Sequence, residues 1–134
     1  MAVGALVSVE EYLKTSYRPD CDYVDGEVQE RHLGEREHSR TQREILLYLT
    51  GRYPGMRERL LPEQRVQVSA TRFRIPDVCF LAEHAPKEEI IRTPPLLCIE
   101  ILSAEDTFSR FMERLKDYFH MGIPECWMIE SDCP

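Results

Sequence analysis

Glu100 stands inside Leu96-Leu97-Cys98-Ile99-Glu100-Ile101-Leu102, a run in which it is the only charged residue. Pro94-Pro95 precede the run and Ser103 follows it, so it reads as a central strand buried on both faces. A carboxylate in such a strand is costly to bury unless it is paired or holds a cation. The same situation recurs at Asp77, in Arg74-Ile75-Pro76-Asp77-Val78-Cys79-Phe80-Leu81. Two consecutive strands of this kind can bring their carboxylates to one point, where a hard divalent cation is the usual occupant. The alternative at this level is that each carboxylate faces solvent or pairs with an arginine such as Arg74. The metal arrangement requires the two strands to be neighbours, with Asp77 and Glu100 on one side of the sheet.

The remaining elements follow from local signals. Ser8-Val9-Glu10-Glu11 is a capping box opening a short helix over Val9–Lys14, and Pro19 stops the chain beyond it. Tyr23–Val28 predicts a hairpin with Asp25-Gly26 at its turn. Residues 31–37 read as a polar, basic loop, and a second helix runs from about His38 to Tyr53 on a stripe of Thr41, Ile45, Leu46, Leu49 and Tyr53. Pro54-Gly55 ends it. Val66–Val68 alternates as a half-buried strand, and a turn at Ala70-Thr71 leads into a strand over Arg74–Leu81. Residues 83–95 form an exposed connection. Ser103 and Asp106 cap a third helix whose stripe, Phe108, Phe111, Met112, Leu115, Tyr118 and Phe119, is assigned to the core. Gly122 suits its C-cap, and Cys126–Ile129 is a last strand. The compact part therefore has the order αβββαβ behind an N-terminal helix and hairpin. The class is α/β (α+β) with a mixed sheet, and 134 residues make one domain.

Charge narrows the partners. The formal net charge of −7 argues against a protein that coats nucleic acid indiscriminately. Residues 31–74, however, hold ten Lys and Arg against five Asp and Glu, a net of +5, and the remainder seven against nineteen, a net of −12. Such a division fits a phosphate-facing surface beside a cation pocket, or simply a solvated arginine-rich helix. The odd count of five cysteines without a CxxC pair predicts free thiols in a reducing cytoplasm, with no disulfide framework and no zinc site. No apolar run approaches membrane-spanning length, and Ala2–Val7 is no convincing signal peptide.

The order of elements, with Pro76-Asp77 on one strand and Glu100 on the next, resembles the PD-(D/E)XK nuclease superfamily. More closely the chain resembles the Uma2 family of bacterial endonucleases over residues 7–131. The resemblance rests on Tyr23-Val-Asp-Gly-Glu27, His38 opening a helix, Arg74-Ile-Pro-Asp-Val78, Pro94–Ser103 and Tyr118-Phe-His-Met-Gly-Ile-Pro-Glu-Cys-Trp127. It implies a restriction-endonuclease-like core and hydrolysis of DNA phosphodiesters with Mg²⁺, or Mn²⁺, held by Asp77 and Glu100. Glu27 matches a further acidic position, implying a third metal ligand or a support for one; a plain acidic turn is the other reading. His38 matches too, in contact with phosphate or with the attacking water, or else in a structural role.

Two features depart from the family. The superfamily lysine two positions after the strand glutamate is Leu102 here, and the Uma2 lysine on the following helix is Arg114. Lys116 is the other cation nearby, but Arg114 shares a helix face with Tyr118, from which Lys116 points roughly 160° away. Arg114 is preferred, as a charge that can stabilise a phosphorane but cannot act as a base. Family chains usually continue past the Trp127 strand, so a shortened copy with an open sheet edge, completed by a homodimer partner, is expected. Arg36, Arg40 and Arg43 are the expected DNA contacts near His38, with Arg36 in the preceding loop. The competing expectation is a catalytically degenerate nuclease-fold module acting in DNA or protein binding.

Overall fold

The strands form two sheets, where the sequence suggests one. In the computed structural model, which describes residues 5–31, 36–103 and 106–130, the chain begins with α1 (Val9–Lys14) and the hairpin β1 (Asp22–Val24) and β2 (Glu27–Gln29). There follow α2 (Arg36–Arg52), a 3₁₀ helix (Pro54–Arg59), β3 (Leu60–Pro62), β4 (Val66–Ser69) and β5 (Arg72–Arg74). The last elements are β6 (Val78–Phe80), β7 (Leu97–Leu102), α3 (Phe108–Met121) and β8 (Glu125–Glu130). One sheet has the order β2-β1-β5-β4 and the other β3-β6-β7-β8. The second is mixed, because β7 and β8 run parallel while its other pairs are antiparallel. A parallel pair needs a crossover, and α3 supplies it.

The expected strand over Arg74–Leu81 is two strands in different sheets. Pro76 cannot donate a ladder hydrogen bond, so pairing stops there and Ile75-Pro76-Asp77 carries the chain from β5 to β6. The short β3, pairing with β6 from Leu60↔Phe80 to Pro62↔Val78, has no counterpart in the sequence reading.

The mixed sheet is covered on both faces. Leu49, Leu60, Val78, Leu97 and Ile99 pack with Ile45 and Leu46 of α2 on one side. Cys79 and Cys98 meet Val66, Val68, Tyr118 and Ile123 on the other. Every residue from Leu97 to Ile101 is buried, so β7 is the central strand its composition predicts. Each fully buried aliphatic side chain there contributes about 1.5–3 kcal/mol. A buried ion costs several kcal/mol before compensation, so Glu100 is tolerable only with partners. A third cluster, Tyr12, Tyr23 and Phe73, holds α1 on the antiparallel sheet, with the Tyr12 Oη donating to the Cys21 carbonyl at 2.6 Å.

Local capping departs from expectation in one place. Ser8 Oγ accepts from the Glu11 amide at 3.1 Å, as a cap should. At α3 the N-cap is Thr107, whose hydroxyl accepts from the Arg110 amide, while Asp106 instead accepts from the Ser103 amide at 2.9 Å. The α3 stripe is also not wholly core: Phe108 and Phe119 are 76% and 51% exposed. Asp117 is buried in their stead, because the helix turns toward Arg72 and Arg74 of β5. Gly122 ends α3 at φ 103°, and α2 begins two residues before His38, so Arg36 lies in the helix and not in a loop. Among the described residues no helix is long and apolar enough to cross a membrane.

Candidate functional site

The antiparallel register Val78↔Ile99, continued one step, sets Asp77 opposite Glu100. Both are buried, and both line one small pocket with Arg31, His38, Ile101, Asp106 and Arg114. Its free space is about 20 Å³, room for one water-sized occupant and not for a base or sugar.

Asp77 is held from every side. Its Oδ1 accepts from Arg31 Nη2 at 2.9 Å and lies 3.0 Å from His38 Nε2, and its Oδ2 accepts from the Ile101 amide at 2.7 Å. The Asp77 carbonyl takes the Gln42 side-chain amide at 2.8 Å and the Glu63 backbone amide at 3.1 Å. Burial alone would push the Asp77 carboxyl up, but the His38 hydrogen bond and the Arg31 charge prevail and hold it below the usual range. The same hydrogen bond raises His38 above the ordinary histidine value, against burial.

Glu100 is held less fully. Tyr118 Oη donates a short hydrogen bond to Oε1, and Arg114 Nε lies 3.8 Å from Oε2, with Arg114 Nη2 3.9 Å from Asp106. Burial first, and then the Asp77 charge, push the Glu100 carboxyl up to about 8 against the pull of Arg114. The two neighbouring carboxyls are thus pushed in opposite directions, Asp77 down and Glu100 up.

These residues fit a hard divalent cation. Asp77 and Glu100 are the two carboxylates that would ligate it, beside a space of about 20 Å³, and Mg²⁺ ordinarily completes its shell with water and substrate phosphate. Among the described residues no group of three or more His, Cys, Asp or Glu is placed to hold a metal. Glu27, expected as a third ligand or a support for one, is exposed at the start of β2 and does not line the pocket. Lys116 is likewise exposed on α3, on the side away from the pocket that Arg114 lines. Arg36, Arg40 and Arg43 are exposed on α2, where with Ser39 they line a shallow recess. Arg40 lies 3.8 Å from Glu37, and Arg43 pairs with Glu44 at 3.0 Å.

Arg74, the partner the sequence offers for the strand carboxylates, is engaged elsewhere. It bonds Asp117 at 2.8 Å and Asp22 at 3.2 Å, and Arg72 joins the cluster through Asp117 at 2.9 Å. Arg31, in a stretch that reads as a basic loop, and Asp106, expected only as a helix cap, join the site without a sequence signal of that role. Arg31 gives no local signal because the carboxylate it meets is 46 positions away. Tyr118 was legible as core, and its position one turn after Arg114 is the sole hint that its hydroxyl faces the same site.

The Uma2 family model, described as "Putative restriction endonuclease", matches residues 9–133. A solved structure described as a putative nuclease belonging to DUF820, from Anabaena variabilis, is similar in fold, with a TM-score of 0.77 at 19% identity. The likeness covers 92% of this chain and 74% of that one. No curated protein matches.

Proposed function

The chain belongs to the Uma2 family, and from that premise we propose that it is a Mg²⁺- or Mn²⁺-dependent endonuclease hydrolysing DNA phosphodiester bonds. The observation that carries the reading is that Asp77, one residue before β6, and Glu100 of the neighbouring β7 line one pocket with Arg114 and His38. Asp77 and Glu100 would hold the cation, which when bound polarises the scissile phosphate and lowers the pKa of an attacking water. Arg114 keeps a permanent charge beside Glu100 and is suited to the negative charge that grows on the phosphorane. His38, whose hold on a proton is strengthened by its hydrogen bond to Asp77, is suited to contact a phosphate oxygen or the attacking water. Arg36, Arg40 and Arg43 provide the phosphate-facing surface at the start of α2. The β8 edge, with Trp127 and Met128 exposed, suits pairing with a second copy. The free thiols at Cys21, Cys79, Cys98 and Cys126 suit a reducing cytoplasm.

A second reading is a nuclease-fold module that binds DNA or protein without cutting. It is favoured by Leu102 at the lysine position and by the compensation of Asp77 from within the chain. Supercoiled plasmid incubated with Mg²⁺ or Mn²⁺ separates the two. Nicking that disappears with chelator, and in both Asp77→Ala and Glu100→Ala, supports the nuclease. Retained DNA binding with no metal-dependent nicking supports the module.

A further inference from the structure

We infer that Arg31 is the resident counter-cation of the carboxylate pocket, and that a divalent ion enters only by displacing its guanidinium from Asp77. The inference rests on the metal reading above and deepens it.

Arg31 is nine-tenths buried and reaches three carboxylates from three segments of the chain. Nη2 bonds Asp77 at 2.9 Å, Nε lies 3.9 Å from Asp22, and Nη1 lies 3.5 Å from Glu63. Nη1 is buried without a hydrogen bond, so the guanidinium is held by charge more than by a complete set of donors. Its occupancy of Asp77 bears directly on metal entry. Arg31 and His38 use both lone pairs of Oδ1, and the Ile101 amide uses one of the two on Oδ2. A divalent ion on the lone pair that is left would lie beside a guanidinium that cannot lose its proton. The repulsion between them is strong where water is excluded. The ion and the guanidinium therefore exclude one another at Asp77.

The surroundings also give the guanidinium somewhere to go. Glu63 is half exposed, at the outer side of Arg31, and its backbone amide is tied to the Asp77 carbonyl. Arg31 can keep that ion pair while leaving Asp77. Asp22 is not stranded by the move, since Arg74 Nη1 at 3.2 Å and the Ile75 amide at 3.2 Å remain.

The test is Mn²⁺ binding to the full chain, by calorimetry or by electron paramagnetic resonance of the free ion, with no DNA present. Arg31→Gln should bind Mn²⁺ about tenfold to a hundredfold more tightly than wild type, the range over which partners of metal ligands act. Arg31→Lys, which keeps the charge, should stay near wild type. Asp77→Asn added to Arg31→Gln should remove the gain. If Arg31→Gln does not fold, Asp22→Asn/Arg31→Gln carries the measurement, because it removes one buried charge of each sign. A structural role alone would lower stability without tightening metal binding. Equal, measurable affinity in wild type and the Arg31→Gln chain overturns the inference and leaves the metal site standing. No Mn²⁺ binding in any of them overturns the metal reading itself, and Arg31 with it.

Discussion

At the scale of single residues, Glu100 has the clearest expected signature. The fold favours its protonated form, with the carboxyl raised from 4.5 to about 8. The stability this contributes is complete below the unfolded value and is lost as pH rises toward the folded one. Glu100→Gln keeps an acceptor for Tyr118 and has no proton to lose. Thermal melts at pH 5, 6.5 and 8 should therefore show the variant gaining on wild type as pH rises; a difference that does not change with pH would contradict the assignment. Arg74 is a different case, a buried cation shared by Asp22 and Asp117. Arg74→Met leaves both carboxylates short of a partner, and urea denaturation should show a loss of about 3–5 kcal/mol. Asp77 and Glu100 were legible in the sequence because a carboxylate among β-formers contradicts its surroundings, although Asp77 itself falls between β5 and β6. Arg31 and Asp117 were not, since a charged residue in a loop or on a helix contradicts nothing until its distant partner is known.

Among the elements, the three helices, the hairpin and β7 could be read from periodicity, caps and turn residues, which act over a few neighbouring positions. The division of one apolar stretch into β5 and β6 could not, because strand pairing is settled by partners elsewhere in the chain. The α3 stripe shows a related limit. Its apolar spacing marks a helix correctly, yet Phe108 and Phe119 face solvent while Asp117 is drawn inward by two arginines of β5. Where α3 ends, Gly122 holds a left-handed φ of 103°, and an added Cβ would meet nothing closer than Pro94 Cγ at 3.9 Å. Gly122→Ala should thus cost only the backbone term, about 1–2 kcal/mol by urea midpoint. A larger loss would mean that the turn into β8 has other duties.

Across the whole molecule, charge is divided so that the basic stretch 31–74 includes Arg36, Arg40 and Arg43 on one helix of an otherwise acidic chain. DNA binding should be weak and steep in salt. Replacing all three by glutamine should weaken it alike on unrelated sequences and flatten the salt dependence by roughly one power of salt concentration for each phosphate no longer neutralised. Gel shifts at several ionic strengths would show this, and an unchanged slope would mark the arginines as mere surface. The crossing at Ile75-Pro76-Asp77 adds something of another kind. Asp77 rides on the covalent tie between two sheets, while Glu100 sits mid-strand in one of them. Asp77 is nonetheless fastened to the sheet of Glu100 by the Ile101 and Glu63 amides. The spacing of the two acids should therefore survive repacking of the Tyr12, Tyr23 and Phe73 cluster on the other sheet.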